Sequence, residues 1–199
     1  MRIAIIKYNA GNIRSVEFAL QRLGIQPEIT ADPGKIISAD KVIFPGVGEA
    51  SNTMNYLREK KLDRLIVSLK QPVLGICLGL QLMCRHSEEG DTTCLGIFDE
   101  EVKRFTPGIG EENIFKVPQM GWNTITKLKT NLFDPSLENQ YVYFVHSYFA
   151  AIGDHTIATT QYTQAFSSAL HKDNFYATQF HPEKSGSVGA RILKNFIEL

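Results

Sequence analysis

Cys77 carries the most legible chemistry in the chain. Gly75 and Gly79 flank it as Gly-x-Cys-x-Gly, between the apolar run Val73-Leu74-Gly75-Ile76 and a helix-forming stretch from Leu78 onward. The apolar run suits a strand buried on both faces, and the stretch after it has no β-branched residue to oppose a helix. This is the arrangement of a nucleophile elbow, a cramped strand-to-helix turn that needs small neighbours and aims its side chain outward. A thiol there stands at a helix N-terminus, whose free N–H groups and partial positive charge favour the thiolate, the form that attacks carbon. An inert buried cysteine is the plainer alternative.

A second constellation follows much later. Residues 174–180 read as a strand running into His181-Pro182-Glu183-Lys184-Ser185. Pro182 biases His181 toward extended backbone, where residues two apart share a face, so His181 and Glu183 are predicted side by side. A carboxylate beside an imidazole fixes its tautomer, and an imidazole beside a thiol takes its proton. Cys77, His181 and Glu183 together make a complete nucleophilic triad. Taken alone, His-x-Glu is equally a surface salt bridge or half of a zinc site.

These groups need a scaffold of alternating strands and helices. Residues 2–8 are expected as the first strand, followed by the turn Asn9-Ala10-Gly11-Asn12, in which Asn9 and Asn12 shape the backbone. Asn12 is expected as the N-cap of a helix burying Ile13, Val16, Leu20 and Leu23 and stopped by Gly24. Strands near 27–29 and at 41–44 come next, the latter entering Pro45-Gly46-Val47-Gly48. That loop has two glycines, which let its backbone approach a ligand closely and reorient its peptide planes. Helices at 51–59 and 62–69 lead to the Cys77 strand. Short links between alternating elements predict a mostly parallel sheet covered by helices, with Gly46-Val47-Gly48 and Cys77 at neighbouring strand ends.

Beyond the elbow, Gln81 shares a helix face with Cys77 and could hold a substrate or simply face solvent. Ser87-Glu88-Glu89-Gly90 reads as a charged loop ending that helix. Short strands are expected at 101–105, 123–127, 140–145 and 156–160, an antiparallel portion with residues 108–113 as its mobile loop. A last helix at 188–198 buries Val188, Ile192, Phe196 and Ile197. The expected fold class is α/β: a single three-layer domain over residues 1–199, with a mostly parallel central sheet flanked by helices and an added antiparallel portion.

Composition narrows the function. The 199 residues carry 21 Lys and Arg against 21 Asp and Glu, so nothing global attracts nucleic acid or an anionic membrane, and a small molecule or a protein is the expected partner. No apolar stretch approaches the roughly 18 residues of a membrane span, and Met-Arg-Ile-Ala-Ile-Ile-Lys is too short for a signal h-region. A cytoplasmic protein is expected. Cys77, Cys84 and Cys94 have no Cys-x-x-Cys spacing, which argues against a disulfide framework or a zinc site. Neither metal nor cofactor is expected.

Gly75-Ile76-Cys77-Leu78-Gly79-Leu80-Gln81 with His181-Pro182-Glu183 resembles the class I (triad) glutamine amidotransferases along essentially the whole chain. Pro45-Gly46-Val47-Gly48, Pro118-Gln119-Met120-Gly121-Trp122-Asn123 and His181-Pro182-Glu183-Lys184-Ser185 further resemble the glutaminase subunits of imidazole glycerol phosphate synthases. Those subunits feed ammonia to a separate (β/α)8 cyclase subunit in histidine biosynthesis, and they usually carry an acidic residue where Lys7 stands here. The resemblance implies glutamine as substrate, oxyanion N–H groups from Val47, Gly48 and Leu78, and glutamine held by Gly46, Gln81, Glu89, Ser147 and Tyr148. It also implies a heterodimer with the cyclase, with Asn12, Met120, Trp122 and Lys184 at the joining face, although Trp122 would serve a core equally well. A paralogous glutaminase feeding a sugar-modifying or other synthase is one alternative. A non-catalytic binding protein on the same fold is another, and the filled triad speaks against it.

Overall fold

The computed structural model describes residues 1–8, 11–110 and 113–199. Five strands in the order Glu28–Thr30, Ile3–Ile6, Lys41–Gly46, Val73–Cys77 and Phe175–Thr178 run parallel through its middle. Their side chains alternate between two cores: Ile3, Ile5, Ile43, Leu74 and Ile76 face one, and Ala4, Ile6, Val42, Phe44 and Val73 face the other. This period of two with both faces apolar is what a strand covered on both sides requires. The helices Ile13–Arg22 and Gly186–Glu198 fill the first core. Pro33–Ser38, Ala50–Glu59, Leu62–Ser68 and Leu78–Met83 fill the second. The result is the expected helix, sheet, helix layering.

Past Phe175–Thr178 the sheet turns antiparallel through Ala165–Lys172 and Tyr148–Ala150 to Glu101–Arg104, with Thr156–Gln161 also paired to Ala165–Lys172. A separate antiparallel ribbon joins Gln119–Thr124 to Tyr141–His146. Its position matters for the site, because it carries Val145, His146 and the chain leading to Tyr148.

Several local expectations change. The strand expected at 123–127 instead runs over Gln119–Thr124, because Gln119 pairs with His146 and Thr124 with Tyr141, and the chain then turns through Lys127 at φ 56. The helix after Cys77 stops at Met83, with Arg85 N–H already bonded to Glu100 C=O, and Ser87 belongs to the short strand His86–Ser87, while Glu88-Glu89-Gly90 form a charged turn as expected. Ala165–Lys172 was not expected as a strand at all. Asn12 stands at the N-cap position as expected, its C=O accepting from Val16 N–H, but its backbone is left-handed (φ 71) and its side chain does not cap the helix. Asn9, and Glu111 and Glu112 of the expected mobile loop, lie outside the described residues.

Candidate active site

The elbow is built by close packing. Cys77 ends the strand Val73–Cys77 at φ 54, ψ −106, a conformation costly for any residue with a Cβ. The helix Leu78–Met83 then doubles back against the strand Lys41–Gly46 so tightly that a Cβ on Gly79 would lie 2.1 Å from the Phe44 carbonyl oxygen. Only glycine fits there. The first N–H groups of that helix have no carbonyl within it to bond, and they open beside the sulfur. Gly46 pairs in register with Cys77, which brings the Val47 and Gly48 backbone alongside. Gly48 has φ 133, a value reserved in practice for glycine.

His181 is fully buried, and its Nδ1 lies 2.6 Å from Glu183 Oε1. His181 itself is extended (φ −97, ψ 96), as expected from Pro182, but the chain then enters a 3-10 turn over Pro182–Lys184, and the two side chains meet across it. Asn12 Nδ2 donates to the same carboxylate oxygen and lies 3.3 Å from Nδ1. With Nδ1–H donating to Glu183, the Asn12 hydrogen goes to the carboxylate and its approach to the ring is contact only. Nε2, the other ring nitrogen, has no nitrogen or oxygen partner among the described residues and is left to the Cys77 sulfur. Burial is the largest single influence on His181 and opposes its charge, but the Cys77 sulfur and then Glu183 outweigh it and raise the imidazolium pKa to about 10.

A cavity of about 280 Å3 opens over the sulfur. Val47, Gly48, Leu78, Gln81, Glu89, Ser147 and Tyr148 are among the residues that line it. Gly46 stands behind the lining, where a Cβ would meet Tyr8 Oη at 2.6 Å. A larger cavity of about 490 Å3, beside Lys7 and Arg14, lies away from the sulfur and gathers no comparable chemistry. Gln81 Nε2 donates to the Tyr148 carbonyl at 2.8 Å and to Gln179 Oε1 at 3.1 Å. Both of its hydrogens are thus spent, and the group left for a ligand is its carbonyl oxygen. Glu89 accepts from Ala50 N–H at 2.9 Å, and burial raises its carboxyl pKa.

Sequence reasoning missed four contributors. Asn12 acts on the triad rather than on its helix. Tyr8 Oη donates to the Pro45 carbonyl at 2.5 Å and so braces the loop beside Cys77. His146 is buried against Phe105, Phe144 and Phe166 with Nδ1 2.7 Å from the Tyr148 carbonyl. Gln179 reaches Cys77. Asn12, Tyr8 and Gln179 meet their partners across the fold and so have no spacing signal, whereas His146 bonds to Tyr148 two residues on, a pairing that no motif marks.

Met120 and Trp122 project from the outer face of the ribbon, 65% and 55% exposed. Trp122 meets Tyr143 edge-on with centroids 5.9 Å apart, and Lys184 Nζ stands 5.9 Å over the Tyr143 ring. Among the described residues Lys184 makes no ion pair. The described residues also contain no helix long and apolar enough to cross a membrane.

A family model for glutamine amidotransferase class-I matches residues 5–199. A protein of Bacteroides fragilis described as imidazole glycerol phosphate synthase subunit HisH is 62% identical over 199 residues, covering 100% of both chains. One of Haemophilus influenzae with the same description is 47% identical, covering 100% of this chain and 98% of its own. Among solved structures, one described as a glutamine amidotransferase superposes with a TM-score of 0.72 at 18% identity, covering 98% and 97% of the two chains. Another glutamine amidotransferase, from Thermotoga maritima, gives 0.64 at 19%, covering 100% and 81%. At those identities the two structures bear on the fold alone.

Proposed function

The chain belongs to the class-I glutamine amidotransferase family, and from that premise we propose that it is the glutaminase subunit of an imidazole glycerol phosphate synthase. In this reading it releases ammonia from glutamine and passes it to a (β/α)8 cyclase subunit in histidine biosynthesis. The observation that carries the reading is a single cavity whose floor is Cys77, with His181 buried between that sulfur and Glu183.

An amide is a poor electrophile, so attack needs both an activated sulfur and a receptor for the oxyanion. Cys77 Sγ bonds to the side-chain carboxamide carbon of glutamine, and the carbonyl oxygen takes the charge. The N–H groups of Leu78 and of the Val47–Gly48 loop receive it, at about 2.7–4 kcal/mol per donor. His181 then gives its proton to the nitrogen, the C–N bond breaks, and ammonia leaves a glutamyl thioester. Water, losing a proton to His181, cleaves the thioester to glutamate and restores the sulfur. Glu183 and Asn12 hold the ring so that the working nitrogen is Nε2. Gln81 Oε1 and the Glu89 carboxylate are both acceptors, suited to the ammonium end of an amino acid.

Ammonia released into water is protonated and lost, so a closed joint to the consuming site is needed. Met120, Trp122 and Lys184 over Tyr143 form an exposed face of the kind that makes interface anchors. The 62% identity to a protein described as a synthase subunit favours this partner over a paralogous synthase. The test combines the chain with a cyclase subunit and its nucleotide substrate. Glutamine should support imidazole glycerol phosphate formation with one glutamate per product, and Cys77→Ser should form product only from added ammonium. Product made from glutamine by Cys77→Ser would overturn the reading.

A further inference from the structure

Resting on the glutaminase reading, we propose that Gln179 is a positioning residue for the nucleophile, donating a hydrogen bond to Cys77 Sγ and tying the sulfur to Gln81. Gln179 lies between the strand Phe175–Thr178 and His181 and is completely buried. Its Nε2 is 3.7 Å from Cys77 Sγ, and its Oε1 is 3.1 Å from Gln81 Nε2.

The orientation of both carboxamides follows from one fixed reference. The Tyr148 backbone carbonyl can only accept, so the Gln81 atom 2.8 Å from it must be the NH2 group. That NH2 spends its second hydrogen toward Gln179, which must therefore present its oxygen. The NH2 of Gln179 is left facing the sulfur. A flipped Gln179 would oppose two donors in a buried place, leaving each short of an acceptor.

The sulfur thus has two kinds of neighbour. The Val145 carbonyl, 3.9 Å away, accepts from the resting thiol, whereas the Gln179 N–H serves the thiolate. A donor held in place before reaction needs no reorganisation when charge forms. Because the same amide is held by Gln81, seating glutamine against Gln81 acts on the group that orients the nucleophile.

Gln179→Glu keeps the length and the oxygen that accepts from Gln81 but turns an oxygen toward the sulfur; Gln179→Leu removes both contacts. Each is studied in complex with the cyclase, by iodoacetamide alkylation of Cys77 across pH, read by peptide mapping, and by glutaminase kinetics. In Gln179→Glu the rising limb of alkylation should move up by about one pH unit, a roughly tenfold smaller thiolate fraction. Its kcat should fall about tenfold with little change in KM, whereas Gln179→Leu should raise KM as well, because Gln81 is loosened. A purely structural residue would move neither limb, and unchanged limbs with wild-type kcat in both variants overturn the proposal. Should neither variant fold, the wild-type side-chain amide protons of Gln179 must shift in NMR when Cys77 ionises or is alkylated. Signals that stay still also overturn it. Full glutaminase activity in Cys77→Ser would sink the underlying reading instead, a separate outcome.

Discussion

Replacing Gly79 by alanine tests whether the elbow is positioned by backbone contact. A Cβ there would sit 2.1 Å from the Phe44 carbonyl oxygen, and real contacts of this kind essentially never fall below 3.0 Å, so helix and strand must separate by about 0.9 Å. The neighbour is backbone and cannot rotate away. Both pieces that move hold the site: the helix carries the Leu78 N–H, and the strand leads into Gly46, Val47 and Gly48. A misplacement of about 1 Å is typically worth about a hundredfold in rate. Overpacking costs roughly 1–3 kcal/mol, partly offset by the gain of about 1 kcal/mol from alanine in a helix. Gly96→Ala supplies the control, since Gly96 has φ 67 but nothing within 4 Å of its Cβ position, leaving only left-handed strain of about 1–2 kcal/mol. Thermal unfolding and glutamate release, both measured in complex with the cyclase, separate the effects. Similar stability losses are expected, with kcat about a hundredfold lower in Gly79→Ala alone. A kcat within about threefold of the control would refute positioning by this contact.

The other expectations concern the thiol, the partner and pH. Cys77→Ser should abolish glutamine hydrolysis while leaving partner binding intact, and an electrophilic glutamine analogue should label Cys77 while sparing Cys84 and Cys94, whose thiols burial pushes up, to about 12 at Cys94. The isolated chain should hydrolyse glutamine slowly, and cyclase with nucleotide should raise the rate at least about a hundredfold, the worth of one oxyanion donor at the Gly46-Val47-Gly48 loop; equal rates in both samples would reject loop gating. Lys184→Ala should lower ammonia transfer in the complex with little effect on unfolding of the chain, because its charge has no ion-pair partner among the described residues to lose. His146 is held neutral, its pKa lowered to about 4 chiefly by burial. The unfolded chain takes up that proton near pH 6.5, so stability is full above this value and falls as pH drops toward 4, by about 2 kcal/mol at pH 5. Urea unfolding of His146→Gln should lose this slope between pH 6.5 and 4, and an identical slope in the variant would assign it elsewhere.

What was legible in the sequence was what short spacing determines. Gly75, Cys77 and Gly79 specify their elbow because strand, turn and helix are contiguous, although the contact that requires Gly79 is with Phe44, on a neighbouring strand remote in sequence. The alternating cores of Ile3–Ile6 and Val73–Cys77 read plainly for the same reason. Ala165–Lys172 does not, because its fully buried centre is Ser167, Ser168 and Ala169, small residues without the β-branched or aromatic side chains that signal a strand. Extended backbone at His181 is present as Pro182 implies, but it ends at that residue. The 3-10 turn after Pro182 reaches the same contact by a different route.

Asn12, Tyr8 and Gln179 take up their roles at the site through partners remote in sequence. Asn12 and Glu183 are 171 positions apart, and Gln179 and Cys77 are 102 apart. A side-chain amide is also ambiguous by itself, since it can donate or accept at either end. The helix face of Gln81 leaves substrate and solvent equally open, and the family resemblance that implies a substrate role says nothing of which atom is free. The Tyr148 carbonyl decides that, by claiming one hydrogen of Gln81 and so turning the other toward Gln179. The triad can be read from sequence because its chemistry is set by residue type. The shell that orients it depends on which way each amide faces, and this is fixed only once the antiparallel half has folded against the parallel half and placed Tyr148 beside Gln81.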